Sequence, residues 1–377
     1  MSDTLDRWVS GRRIAFVFKA GREARSSGAG PTEFFYGCVQ LQSAGYQAEI
    51  VTDRQLDLDR PPGRLLRSVS HGFFRATGVP LWPLIRLARG ANRRRLAPYD
   101  CLVVTTNTFG ICLGLLRRLG MIRAQVMFVA MGLVEPTTPL RLTRIYAWIF
   151  RDTVAVRALS AANAKMLSIR LAMPVTHIPF GVDNAFWVPG RGGAATTPYV
   201  LSIGNDSHRD YQVLLEAWKP EYPTLRIVTS HPVTTAAPNI EVLRGGWHQQ
   251  LVTDEQVRTL MQEALFVILP IKNTVQPSGQ SACLQAMSCG KAVVITDFPG
   301  LWNRELLRDG ETCVFGGRPG DPGGIQRAVE RLIADGALAK AIGTMARGII
   351  ESDLNVNRMA EAIATDIGRL TADRHDG

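Results

Sequence analysis

One stretch constrains the fold of this chain more than any other. It runs from the apolar segment Ile268-Leu269-Pro270-Ile271 to the apolar segment Val293-Val294-Ile295-Thr296, with Pro277-Ser278-Gly279-Gln280-Ser281 at its centre. The first segment ends in a polar turn that contains a glycine. The turn opens a short helical pattern from Ala282 to Met287, and Gly290 closes it before the second segment. The pattern predicts strand, loop, helix and strand, with the loop free to bind something. The first backbone N–H groups of a helix lack intrahelical partners and carry the positive end of its dipole, so such a loop favours an anion, above all a phosphate.

The same alternation runs through most of the chain. Arg12 to Phe18 reads as a buried strand, Gly21 to Gly30 as a loop rich in glycine, serine and arginine, and Ala48 to Thr52 as a returning strand. Thr32 is the expected N-cap of a helix between them, with Phe34, Phe35, Cys38, Val39 and Leu41 on its apolar side. This is a βαβ unit, whose crossover is expected to be right-handed. Strands at Cys101 to Thr105, Val126 to Ala130, Thr153 to Leu159 and Val175 to Pro179 alternate with helical patterns at Phe109 to Leu119, Leu140 to Phe150 and Ala161 to Leu171. Periodicity then breaks in the glycine- and proline-containing stretch from Pro189 to Pro198, and a second alternating series begins at Tyr199. The expected fold is α/β, with two doubly wound Rossmann-like domains and a cleft between them. Residues 1–190 form the first domain, 191–350 the second, and 351–377 a final helix expected to cross back to the first.

At 377 residues the chain fits two domains of ordinary size. No apolar run approaches the roughly 18 to 20 residues that span a bilayer, and the start lacks a signal-peptide core, so cytoplasmic residence is the default expectation. The six cysteines show no CxxC spacing and read as reduced core residues. The net charge of +10 calls for a polyanionic partner. Between Asp59 and Asp100 there is no acidic residue but there are nine arginines, interleaved with Leu65, Phe73, Phe74, Trp82 and Ile85. A basic amphipathic insertion over 60–98 fits three readings: a surface lying on anionic lipid headgroups, a helical hairpin packing an apolar stripe on the core, or a nucleic-acid contact. The first is carried forward, with Arg64, Arg67, Phe73, Phe74, Trp82 and Arg86 as the membrane-facing residues. Nucleic acid is not expected as a partner, and the protein would be peripheral on the cytoplasmic face of a membrane.

Several motifs in order bring in a family. Ile178-Pro179-Phe180-Gly181-Val182-Asp183, then Leu201-Ser202-Ile203-Gly204 with Arg209-Asp210-Tyr211, resemble the domain junction and first loop of GT-B-fold glycosyltransferases. Leu284 to Val294, then Thr296-Asp297, Pro299-Gly300-Leu301 and Asp309-Gly310-Glu311, resemble the donor-binding core of the family-four retaining enzymes of that fold, the group 1 glycosyl transferases. The resemblance implies transfer of a sugar from a nucleotide diphosphate sugar, with retention, to an acceptor such as a saccharide, as in cell-surface glycan biosynthesis, and the basic apolar segment from Arg60 to Arg95 suggests a lipid-linked one. No metal is expected, because no carboxylate cluster suitable for magnesium appears in the sequence, and no cofactor is expected beyond the nucleotide-sugar co-substrate. Gly204 would let the loop approach the donor diphosphate, and Arg209 stands where the family places a basic residue on it.

The chain departs from the family pattern at two points. The residue after the glycine, usually basic, is Asn205, which leaves Lys272 or the helix beginning near Gly279 to supply charge. The family's pair of glutamates aligns with Pro277 and Gln285; Gln285 can still hydrogen-bond a ribose hydroxyl, whereas Pro277 cannot act as a carboxylate. The expected catalytic residues are therefore Arg209 and Lys272. Gly204, Asn205, Arg209, Ser278, Gly279, Gln280, Ser281, Gln285 and Trp247 are the expected donor-binding residues. Gly28, Ala29 and Gly30 form the expected first-domain loop. Two other readings stand beside this one: a non-catalytic protein that keeps the fold to bind a nucleotide or partner, and a nucleotide-sugar epimerase, which would need acid and base carboxylates.

Overall fold

The computed structural model describes residues 9–20, 30–190, 197–244 and 252–372. Its contacts divide the chain into two compact units, residues 1–179 with 357–377, and residues 180–356. The break at 179/180 lies ahead of the glycine- and proline-containing stretch near residue 190, and the final helix packs with the first unit.

The first unit holds a six-stranded parallel sheet of β1 (Ile14–Phe18), β2 (Ala48–Thr52), β3 (Cys101–Val104), β4 (Gln125–Val129), β5 (Val154–Ala158) and β6 (Thr176–His177), in the order β2-β1-β3-β4-β5-β6. Every side chain of β1 and β3 is buried. This is why those strands read as unbroken apolar runs: a parallel sheet is covered on both faces. The covering elements are α1 (Cys38–Ser43), α2 (Arg64–Thr77), α3 (Leu81–Ala88), α4 (Gly90–Leu96), α5 (Asn107–Arg118), α6 (Leu140–Phe150) and α7 (Ala161–Leu171). Thr106 and Ser160 cap α5 and α7 through their side chains.

The helix expected from Thr32 onward is broken in two. A 3₁₀ turn at Glu33–Phe35 ends on Tyr36 at φ 51°, Gly37 follows at φ 83°, and α1 begins after it, with no side-chain cap from Thr32. The cause is a neighbour: a Cβ at Gly37 would stand 2.7 Å from the Cα of Ala360 on the last helix, so the chain must bend where that helix presses on it.

The basic insertion folds as α2, α3 and α4, and it corrects one expectation. Arg86 faces the protein, not solvent, and Trp82 is half-buried beside it. The Trp82 indole N–H donates to the Arg60 carbonyl (2.9 Å), and the Arg86 guanidinium stacks 5.4 Å from the Trp82 ring centroid. Arg86 is buried, donates through Nε to the Asp57 carbonyl (2.8 Å), and its Nη2 is ion-paired with the Asp57 carboxylate. Arg64, Arg67, Phe73 and Phe74 are exposed.

The second unit repeats the architecture with β7 (Tyr199–Ile203), β8 (Thr224–Thr229), β9 (Ile240–Arg244), β10 (Val267–Leu269), β11 (Val293–Ile295) and β12 (Val314–Phe315), all parallel in the order β12-β11-β10-β7-β8-β9. Around it lie α8 (Tyr211–Ala217), α9 (Asp254–Glu263), α10 (Gln280–Ser288), α11 (Pro322–Ala334) and α12 (Gly336–Ser352); α13 (Val356–Ala372) closes the chain. The chain winds outward from β7 to β9, then returns to lay β10 against the other side of β7. The strand order therefore reverses between β7 and β10, and the carboxyl ends of those two strands are where an open α/β sheet offers a crevice to a ligand. All six cysteines are buried and unpaired, and burial pushes the thiols of Cys38, Cys101 and Cys289 up to about 12.

Candidate functional site

Three loops meet at the reversal point of the second sheet. The loop after β7 carries Gly204 to Asp210, the end of β8 supplies Thr229 to His231, and the loop after β10 runs from Pro270 to Gly279. The first and third are stitched together as a short antiparallel pair. Arg209 bridges Ile271, the Asp210 N–H donates to the Pro270 carbonyl (3.0 Å), and the Lys272 N–H donates to the His208 carbonyl (2.8 Å). The first and second are joined through side chains. Asn205 Oδ1 accepts from the Ser230 N–H (2.6 Å), and Thr229 Oγ1 and the Tyr211 hydroxyl both donate to the Gly204 carbonyl (2.8 and 2.7 Å). Burial raises the Tyr211 phenol above its ordinary value, which keeps it a donor.

This stitching fixes Arg209 at the centre. Its side chain is almost wholly buried and runs between two glycines. A Cβ at Gly204 (φ 152°) would collide with the guanidinium, and one at Gly279 (φ 79°) would stand 2.9 Å from Nη1. No other residue type fits either position without moving the arginine. The carboxylate of Asp206 lies 3.0 Å from Nε, off the N–H direction, so Nε and Nη1 are buried without a hydrogen-bond partner among the described residues. Burying a guanidinium costs several kcal/mol unless its N–H groups are satisfied, so this group is built to receive an acceptor.

The start of α10 supplies the complement. Within the second unit, α8, α9, α11 and α12 each begin on an Asp or Thr whose side chain accepts from the first turn. Helix α10 begins on Gly279 with no side-chain cap, which leaves the positive end of its dipole open beside Arg209. The preceding loop is held rigid: Ile271 N–H donates to Thr296 Oγ1 (2.9 Å), and a Cβ at Gly300 would run into the backbone of Val275 and Gln276.

The structure thus gathers Gly204, Asn205, Arg209, Ser278 and Gly279 into one cluster, with Gln280 and Ser281 in the adjoining first turn of α10. Gln285 lies further along α10 and is buried. Lys272 shares the backbone pairing, but its ammonium is exposed and meets no hydrogen-bond or ion-pair partner among the described residues. Trp247, Gly28 and Ala29 lie outside the described residues; Gly30 is a half-buried bend in the first unit. Asp206 was missed by sequence reasoning. Its carboxylate faces Arg209, accepts from the His208 N–H (3.1 Å) and is hydrogen-bonded by the Ser278 hydroxyl, while its carbonyl meets His231 Nε2 at 3.0 Å.

Chemically, a buried guanidinium and an uncapped helix start at the carboxyl ends of β7 and β10 can hold a diphosphate and take up the charge it gains when a bond to it breaks. Residues 197–335, which contain every one of these groups, match the family described as glycosyl transferases group 1. A sequence search of curated proteins returns no match. Among solved structures, a glycosyltransferase from Rickettsia africae superposes with a TM-score of 0.70 at 13% identity, covering 96% of this chain and 100% of that one. Sucrose-phosphate synthase from Thermosynechococcus elongatus gives 0.69 at 16% identity, covering 96% and 100%. HepE of Anabaena in complex with UDP-glucose gives 0.66 at 15% identity, covering 95% and 100%.

Proposed function

We propose, from a GT-B fold whose residues 197–335 match the group 1 glycosyl transferases, that the protein transfers a sugar, with retention, from a nucleotide diphosphate sugar to a lipid-linked or saccharide acceptor. The observation that carries the reading is the Arg209 guanidinium, confined by Gly204 and Gly279 with Nη1 unsatisfied beside the open end of α10. In this reading Arg209 and the α10 start stabilise the departing diphosphate, and a donor phosphate oxygen takes the acceptor's proton. No carboxylate is asked to act, in keeping with Pro277 and Gln285 at the positions of the family's glutamates. The charge is carried by these groups without a metal. Retention rests on the resemblance to family-four enzymes. No described helix is long and apolar enough to cross a membrane, and a lipid-linked acceptor would be met by peripheral contact through the basic α2 segment on a cytoplasmic membrane face.

A thermal-shift panel of UDP, GDP, ADP and TDP sugars tests the donor, with UDP-glucose, the ligand bound by HepE, as the first arm. One sugar should raise the melting temperature and be consumed in the presence of an acceptor extract. Donor binding with no transfer to any acceptor would move the assignment to a non-catalytic nucleotide binder, and stabilisation by no nucleotide sugar would remove the donor site.

A further inference from the structure

We infer that the exposed faces of α2 and α6 together form a docking surface for an anionic lipid bilayer, which rests on the peripheral-membrane reading above and adds a second helix to it. Helix α2 buries none of its residues. Leu65, Val69 and Phe73 recur at every fourth position, so they lie in one stripe, and they are 82%, 52% and 38% exposed. A helix of a soluble body ordinarily buries such a stripe. Arg64, Arg67 and Arg75 stand exposed around it, with no acid anywhere from Asp59 to Asp100.

Helix α6 repeats the arrangement beside it. Thr143, Tyr146, Ile149 and Phe150 are its buried face, whereas Leu140 (63%) and Trp148 (51%) are exposed with Arg144 between them on the same stripe. No acidic residue occurs between Glu135 and Asp152, which bracket Arg141, Arg144 and Arg151. The two helices adjoin: Arg141 Nη2 donates to the Arg75 carbonyl (3.4 Å), and the Tyr146 hydroxyl donates to the Gly78 carbonyl (3.2 Å). The Arg118 guanidinium sits 5.0 Å from the Trp148 ring centroid, so this indole already carries a cation at its face.

Two neighbouring apolar stripes, on helices that carry arginines and no acidic residue, match a surface that offers acyl chains beneath anionic phosphates. Tryptophan suits that boundary because its ring is apolar and its N–H is polar. A nucleic acid would satisfy the arginines and leave both stripes in water.

The test is co-sedimentation of the full chain with phosphatidylglycerol-containing vesicles against pure phosphatidylcholine vesicles, beside a duplex DNA binding assay. Sedimentation should require the anionic lipid and weaken with salt. Leu65→Glu on α2 and Trp148→Ala on α6 should each lower vesicle partitioning by about tenfold, and Arg64→Gln by about fivefold, while Met345→Glu, at an exposed site in the second unit, should leave it unchanged. Equal binding to both vesicle types, or duplex DNA binding without vesicle binding, overturns the proposal. A loss confined to the Leu65 variant removes α6 from the surface. Melting temperatures of the variants check folding, and nucleotide-sugar titration reads the transfer site separately: vesicle binding by a chain that binds no donor would overturn the proposed function and leave the surface standing.

Discussion

Arg86 in the first unit and Arg209 in the second are each 5% exposed, and each is approached by one aspartate. Both keep buried N–H groups without a regular hydrogen bond, Nη2 in Arg86 and Nε and Nη1 in Arg209, but their charges are met differently. Arg86 donates to the Asp57 carbonyl, pairs with the Asp57 carboxylate and covers the Trp82 ring, so its charge is spent on joining α3 to the end of β2. Arg209 has Asp206 beside Nε but out of line, glycines where side chains would otherwise crowd it, and Nη1 with nothing to donate to among the described residues. Burial alone therefore does not mark a functional arginine. An unsatisfied guanidinium at the reversal point of a parallel sheet does, because the protein bears a desolvation cost there that only a ligand can offset.

The comparison breaks first at Arg209. Arg209→Ala should reduce transfer about a hundredfold to a thousandfold, the loss usual when a preorganised donor to developing charge is removed, with little change in melting temperature. Arg209→Lys keeps the charge but loses the planar fork and should recover only part of the activity. If donor affinity and turnover survive in Arg209→Ala, the diphosphate does not sit here. Arg86→Ala should do the reverse. It takes from Asp57 its one buried partner, leaving only the exposed Arg60 and Arg89 near the carboxylate, and should cost about 2 kcal/mol of stability, less than a fully buried pair because Asp57 is partly exposed. Urea denaturation reads that loss, while donor binding by the folded protein should be unaltered.

Gly279→Ala sharpens the contrast from the side of the helix. The residue has φ 79°, where an alanine is strained, and the added Cβ would lie 2.9 Å from Arg209 Nη1 and 3.2 Å from Ile271 Cδ1. Displacing the guanidinium should weaken donor binding about tenfold, beyond the roughly 1 kcal/mol of backbone strain. Calorimetric titration with the donor separates the two: equal affinity with lowered stability would mean that Gly279 serves only the turn.

How far such contrasts could be read in the sequence depends on the range of the interaction. The two alternating series were legible because each buried parallel strand is a run of apolar residues and each cap or turn residue is local. The stretch from Ile268 to Thr296 was legible for the same reason, Gly279 followed from its place at a helix start, and Gly204 and Arg209 followed from the resemblance to GT-B enzymes. Arg86 was misassigned because Asp57, which neutralises the arginine, precedes the arginine run, and the Arg60 carbonyl that holds the half-buried Trp82 indole is no feature of a side-chain pattern. The break at Gly37 depends on Ala360, from the far end of the chain. The exposed stripe of α6 looked like an ordinary core helix, since periodicity does not say which apolar residues a neighbour will cover.

Asp206 shows the same limit and gives the smallest test. In sequence it is one acid in a polar loop; its meaning comes from Ser278, which lies beyond three intervening strands and hydrogen-bonds its carboxylate. With Oδ2 3.0 Å from Arg209 Nε, it competes with a phosphate for the same cation, while also accepting from the His208 N–H. Asp206→Asn keeps the size and the acceptor oxygen for His208 but removes the negative charge. A screened interaction at that distance near the surface is worth on the order of 1 kcal/mol after solvation losses. The variant should therefore bind the nucleoside diphosphate about fivefold more tightly, with the gain shrinking as salt rises. A weaker affinity in Asp206→Asn would mean that the carboxylate orients Arg209 more than it opposes the ligand, which would make the aspartate a positioning residue and bring Arg209 closer to the charge-neutralised state of Arg86.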